Sequence, residues 1–133
     1  MQAKIYLSGF GDETMIARKV VDAARSSNFI SKADLLSAEK LVVQGGVEEK
    51  GTLMDVAGIV VTLLNGGGAE ALFNILKPFW GFGQPATRGK RRIIFEIPPD
   101  VRLELDGDMS DDDFLETRNR LINILLSRGG NVA

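Results

Sequence analysis

Three side chains in the last third of the chain have the spacing that begins a calcium-binding loop. Asp106, Asp108 and Ser110 match the first, third and fifth positions of such a loop. The sixth position is Asp111 where the loop needs glycine, and the twelfth is Thr117 where it needs a bidentate glutamate. A turn followed by a helix cap explains these residues better, with adventitious divalent binding as the alternative. No metal ligand and no cofactor are therefore predicted.

A second chemical motif is Gly9-x-Gly11, which follows a predicted strand and precedes a predicted helix, as phosphate-binding dinucleotide loops do. The third glycine of that motif would fall at position 14, where the chain has Thr14. A tight turn accounts for the two glycines without any nucleotide.

The chain contains no histidine and no cysteine. Thiol catalysis, cysteine-ligated metals and a Ser-His-Asp triad are therefore excluded for this chain. The commonest general base near neutral pH is missing as well. No catalytic residue is predicted, and the alternative is a small enzyme that uses carboxylate, lysine or arginine chemistry.

A basic cluster, Arg88, Lys90, Arg91 and Arg92, precedes a predicted strand. Phosphate binding is one interpretation, and a solvated loop or a charged strand edge is the commoner one. Nucleic acid is not expected as a partner, because the net charge is −2 and no glycine-rich phosphate loop lies beside the cluster. Arg88, Arg91 and Arg92 are retained as candidate partner-binding residues.

Three aromatic residues, Phe79, Trp80 and Phe82, form a cluster just upstream. Closure of the core over a sheet is the favoured interpretation, because small α+β domains need large side chains to fill them. The functional interpretation is an interface anchor, since aromatic residues dominate binding hot spots. All three are kept as candidate partner-binding residues, with Trp80 as the predicted anchor.

The stretch from Gly51 to Gly83 leads into these residues and is unusually apolar. Its pattern predicts an apolar helical hairpin, with one helix over Thr52 to Leu64 and a second from Ala69 to Leu76, joined by a triple glycine. Core helices and a partner surface both remain open. A membrane span is not expected, because the uncharged run from Val56 to Ala69 is shorter than the roughly 20 residues that a span needs.

The remaining elements have clearer patterns. Alternation predicts a strand over Ala3 to Ser8, followed by a helix that Asp12 caps. A further strand is expected near Glu39 to Val43, a β-hairpin over Arg91 to Leu105, and a last helix capped by Ser110.

These elements predict a single α+β domain over residues 1–133, with a small mixed or antiparallel sheet and helices packed on one face. An apolar content of 44% is ordinary for a globular domain and argues against disorder. Because MQAKIYLSG lacks the apolar region of a secretory signal, the expected location is cytoplasmic.

The order of an apolar segment, a basic loop and a late hairpin resembles the effector-associated constant component family of bacterial conflict systems. The resemblance rests on KGTLMDVAGIVVTLLNGGGAEALFNILKPFW, RRIIFEI and VRLELDGD, and covers Gly51 to Leu126. The chain departs from the Arg- and Ala-rich composition common in that family. The resemblance implies a non-enzymatic protein-interaction component that couples to a separately encoded effector. Binding to a protein partner or self-association is expected, with a membrane-active protein as an alternative.

Overall fold

A computed structural model describes residues 1–36, 56–64, 66–81, 83, 89–98 and 101–128. The described residues form five strands and three helices. In chain order these are β1 (Gln2–Ser8), α1 (Glu13–Arg25), β2 (Ile30–Leu35), β3 (Val56–Leu63), α2 (Gly66–Trp80), β4 (Arg92–Ile97), β5 (Val101–Asp106) and α3 (Asp111–Arg128). The predicted α+β class is confirmed.

The strands form one sheet in the order β2-β3-β1-β4-β5, and every neighbouring pair is antiparallel. β1 lies at the centre, between β3 and β4. From β1 to β4 this is the split β-α-β arrangement of ferredoxin-like folds, and β5 and α3 are added at one edge. Helix α2 contacts both α1 and α3, and the helices cover one face of the sheet, as predicted.

The predicted helix over Thr52 to Leu64 is wrong, because Val56–Leu63 forms strand β3. The apolar helical hairpin is therefore a strand followed by a helix. β-branched residues favour a strand here, since Ile59, Val60 and Val61 pack well on a pleated surface between β1 and β2. Hydrophobic alternation gives no signal in β3, because the residues on the face opposite the helices, such as Val60, are also uncharged.

Helix α2 begins among the three glycines that were expected to form a turn between two helices. Gly68 lies in its first turn, where an added Cβ would come 2.8 Å from the Phe29 carbonyl oxygen and 3.0 Å from the Leu63 Cβ. The glycine thus allows α2 to pack closely on the β2–β3 end of the sheet. The helix continues through Pro78 to Trp80, four residues beyond its predicted end at Leu76.

The core lies between the sheet and the helices, and its centre is aromatic. Phe73 of α2 stacks on Phe95 of β4 at 5.1 Å between ring centroids and meets Phe114 of α3 edge-on at 5.3 Å. Of the apolar side chains in β3 and α2, Ile59, Leu63, Leu72, Phe73 and Leu76 are fully buried, and Val60 is half-buried.

Both predicted helix caps inside the described residues are present. The Met15 amide donates to the Asp12 carboxylate at 3.3 Å, and the Asp113 amide donates to the Ser110 hydroxyl at 3.1 Å. The strand expected near Glu39 to Val43 lies outside the described residues.

Candidate functional site

The predicted aromatic anchor is part of the core. Trp80 is fully buried and stacks on Phe114 at 6.0 Å, with the Phe10 ring 6.4 Å away. Phe79 is half-buried against the same core, and Phe82 lies outside the described residues. The Trp80 ring therefore closes the domain, which is the interpretation favoured from the sequence, and its role as a partner anchor stays a prediction.

Two residues of the basic cluster make different structural contacts. Arg91 donates through Nη1 to the carbonyl oxygens of Phe79 at 3.2 Å and Trp80 at 2.9 Å, and its guanidinium lies 5.5 Å from the centroid of the Phe10 ring. It thereby satisfies carbonyls at the C-terminal end of α2, where a cation also complements the helix dipole.

The next residue, Arg92, is exposed and contacts the carboxylates of Asp106 at 3.2 Å and Glu104 at 3.7 Å on the neighbouring strand. Arg88 lies outside the described residues. Arg91 and Arg92 are thus bound to the protein itself and point to different partners, whereas Lys90 is exposed.

The Gly9-x-Gly11 loop is a tight turn, as predicted, and its backbone donors are already occupied. Gly9 and Gly11 have φ angles of 77° and 98°. The amides of Phe10 and Gly11 donate to Oε2 of Glu13 at 2.8 and 3.2 Å, and Glu13 is buried. A carboxylate of the chain therefore lies where a dinucleotide loop would hold phosphate.

The acidic spacing after β5 also has a structural explanation. Asp106 accepts from Arg92 and Ser110 caps α3. Among the described residues, no group of three or more acidic side chains is placed to hold a metal ion. Within the same ranges, no helix is both long and apolar enough to cross a membrane.

Tyr6 is an unusual residue on the face of the sheet opposite the helices. It lies between Gly58 and Ile94 in the strand register, is 5% exposed, and its hydroxyl has no hydrogen-bond partner among the described residues. Burial, together with the nearby Glu96 carboxylate, raises the pKa of Tyr6 to about 12, and Arg102 partly opposes the shift. Tyr6 is therefore a neutral phenol near pH 7 and not a general base.

Exposed apolar side chains gather along the β2 edge of the sheet. Of the five large hydrophobic residues exposed in the described part of the chain, Phe29, Leu35 and Leu64 lie on or directly beside β2. Phe29 and Leu64 are 48% and 53% exposed and are joined by a 3.0 Å hydrogen bond from the Leu64 amide to the Phe29 carbonyl. We call Phe29 and Leu64 the β2-edge cluster; Leu35 lies at the other end of β2, about 20 Å along the strand. Sequence reasoning missed this cluster because β2 was not assigned.

The backbone of the same edge is covered by Arg25. Its Nε donates to the Ala33 carbonyl at 2.9 Å, and its Nη2 contacts the Asp34 carboxylate at 2.8 Å. Ala33 is buried towards the helices, so Asp34 projects from the opposite face of the sheet. Because Arg25 belongs to α1, its side chain must pass around the outer edge of β2 to reach Asp34.

Comparisons of the chain with protein-family models, with curated proteins and with solved structures found no match.

Proposed function

We propose that this chain is a non-enzymatic protein-interaction component of a bacterial conflict system, and that it couples to a separately encoded effector. The resemblance between Gly51 and Leu126 supports the setting, with the cytoplasm as the proposed location. The single observation that carries the interaction role is the β2-edge cluster. It offers exposed apolar contact area at the β2 edge of the sheet, away from Trp80, the partner anchor predicted from the sequence.

The physical argument rests on clustering. Single exposed apolar residues are normal on a protein surface, whereas grouped ones mark contact sites. Covering the exposed halves of Phe29 and Leu64 contributes roughly 1 kcal/mol each, by the usual scale for burying such side chains. Their backbones are already fixed to each other by the hydrogen bond at the end of β2, so binding there orders little additional chain.

The test is co-purification with the products of the genes that flank its own, expressed one at a time beside the tagged chain. We expect one of them to bind, and Leu64→Ser and Phe29→Ser each to weaken that binding at least about tenfold. The matched control is Met15→Ser, because Met15 is 45% exposed but lies on α1. It is expected to leave binding unchanged.

Two results contradict the proposal. One is binding that all three serine variants weaken equally, or that none of them weakens. The other is turnover of a peptide, nucleotide or phosphoester by the purified chain that is abolished by replacing a single carboxylate.

A further inference from the structure

No strand of the described residues pairs with the outer edge of β5. β5 pairs with β4 on one side and is the last strand in the sheet order. The one backbone hydrogen bond that a β5 residue makes outside this pairing is from the Met109 amide to the Asp106 carbonyl, within the following turn. The outward amides and carbonyls of β5 therefore have no strand partner in the described part of the chain. Such a row of groups is a template for another strand.

The opposite edge does not offer the same template. Arg25 covers the β2 edge, and the β2–β3 register shifts between Ile30 and Lys32. Covering side chains and bulges are the usual means by which proteins block strand addition. Strand addition is thus directed to β5.

The side chains of β5 indicate which strand fits. Arg102, Glu104 and Asp106 are exposed on the face opposite the helices, while Leu103 and Leu105 are buried beneath it. If an identical strand is added antiparallel about a two-fold axis at Leu103, each Arg102 lies opposite Glu104 of the copy. Opposite charges at directly facing positions stabilise a strand pair.

Other registers are less favourable. An axis at Glu104 places each Arg102 opposite Asp106 but also sets Glu104 against itself, and an axis at Arg102 places Arg102 against itself. A slip by one residue sends the buried leucines to the wrong face. The charges of β5 therefore select one register of self-pairing.

We infer that a second copy of this chain pairs with β5 through antiparallel strand addition centred on Leu103, which extends the sheet from five strands to ten. The axis is perpendicular to the sheet, so the helices of both copies lie on the same face.

Helix α3 adds apolar area to such an interface. It packs against α2 and β5, so it lies on the β5 side of the helix layer. Leu115 and Ile122 are half-buried and Leu126 is 53% exposed, and their spacing of seven and four residues aligns them along one stripe. The stripe supplies contact area beyond a six-residue strand pair, which alone is smaller than stable interfaces.

Charge reversal tests the inference. Arg102→Glu alone creates two facing pairs of glutamates, and Glu104→Arg alone creates two facing pairs of arginines. We expect each variant to raise the dimer dissociation constant at least about tenfold in sedimentation equilibrium. A 1:1 mixture of the two variants is expected to form heterodimers, because every facing pair is again of opposite charge.

The matched control is Lys32→Glu, an equal charge reversal at an exposed position of the other edge strand. It is expected to leave the dimer intact. Circular dichroism and thermal melting of each variant show that it remains folded. A parent chain that is monomeric at about 1 mM overturns the inference. So does a dimer that is insensitive to both single variants, or a mixture that does not associate.

The register has its own test, because the chain contains no cysteine. Oxidising a mixture of Arg102→Cys and Glu104→Cys is expected to give covalent heterodimers, since facing positions are within disulfide range and diagonal ones, at about 7–8 Å, are not. Covalent dimers of either variant alone, without heterodimers, contradict the register. The experiment is independent of the β2-edge cluster, so it can succeed when co-purification fails.

Discussion

At the β2 edge the backbone is covered and apolar side chains are exposed, whereas at the β5 edge the apolar side chains are buried and the backbone is exposed. At the β2 edge, the Arg25 side chain covers the backbone by donating to the Ala33 carbonyl and contacting the Asp34 carboxylate. At the β5 edge, the apolar side chains of Leu103 and Leu105 are buried because they face the helices. The two proposed contact surfaces therefore differ in kind, since a partner at the β2 edge would contact side chains and a second copy at β5 would contact main chain.

The largest effect is expected from removing the core that supports both edges. Leu63 lies beneath the β2 side and Phe73 contacts Phe95 beneath the β5 side, and both are fully buried. Leu63→Ala and Phe73→Ala are each expected to lower the free energy of unfolding by roughly 2–5 kcal/mol. Urea denaturation measures this, with Leu64→Ala as the neighbouring control because that side chain is 53% exposed.

If the contrast between the edges lies only at the surface, both variants must unfold in one transition. Separate transitions for the two sides, or a parent-like stability for both variants, contradict that expectation.

A smaller effect is expected from uncovering the β2 edge. Arg25→Ala removes two hydrogen bonds from an exposed side chain and is expected to cost about 1 kcal/mol. The more informative measurement uses the double variant Arg25→Ala/Arg102→Glu. We expect it to associate, because the β2 backbone becomes available while the β5 edge repels its copy. A double variant that stays monomeric shows that Arg25 is not what closes this edge.

The smallest effect on stability is expected at Tyr6 in β1, the strand midway between the two edges. Tyr6→Phe removes a buried hydroxyl without a partner, so at pH 7 the stability is expected to stay the same or rise by up to about 1 kcal/mol. A loss above about 1 kcal/mol contradicts this, because it requires a partner for the hydroxyl.

The same variant reveals a pH dependence. The folded-state pKa of Tyr6, about 12, lies above the ordinary value of 10, so folding favours the protonated phenol. The free energy of unfolding of the parent therefore has its full value below pH 10 and falls as the pH rises towards 12. Parallel denaturation curves are expected to show the parent losing stability relative to Tyr6→Phe in that window. Unchanged relative stability across it contradicts the raised pKa.

The sequence predicted the elements whose two faces differ. In β1, β4 and β5, apolar residues alternate with polar ones such as Lys4, Arg92 and Glu104, and the caps Asp12 and Ser110 mark where α1 and α3 begin. β3 was assigned to the wrong class because both of its faces are uncharged, which leaves periodicity without a signal.

The candidate site was predicted less well, for a different physical reason. Composition identifies Trp80 as a strong contact residue but does not state whether the protein or a partner contacts it. The path of Arg25 around β2 depends on which strand becomes the edge, and that is decided by pairing between distant segments. Membership of a conflict-system family and the interaction role of this chain are proposals.

The buried indole has a spectroscopic consequence. Trp80 is the chain's one tryptophan and is fully buried, stacked on Phe114 of α3 with the Phe10 ring beside it. Its fluorescence is therefore expected to change when the domain unfolds and to stay constant when a partner binds at the surface. An emission maximum that is constant on association and moves to longer wavelength on unfolding separates the two events in a single cuvette, without any label.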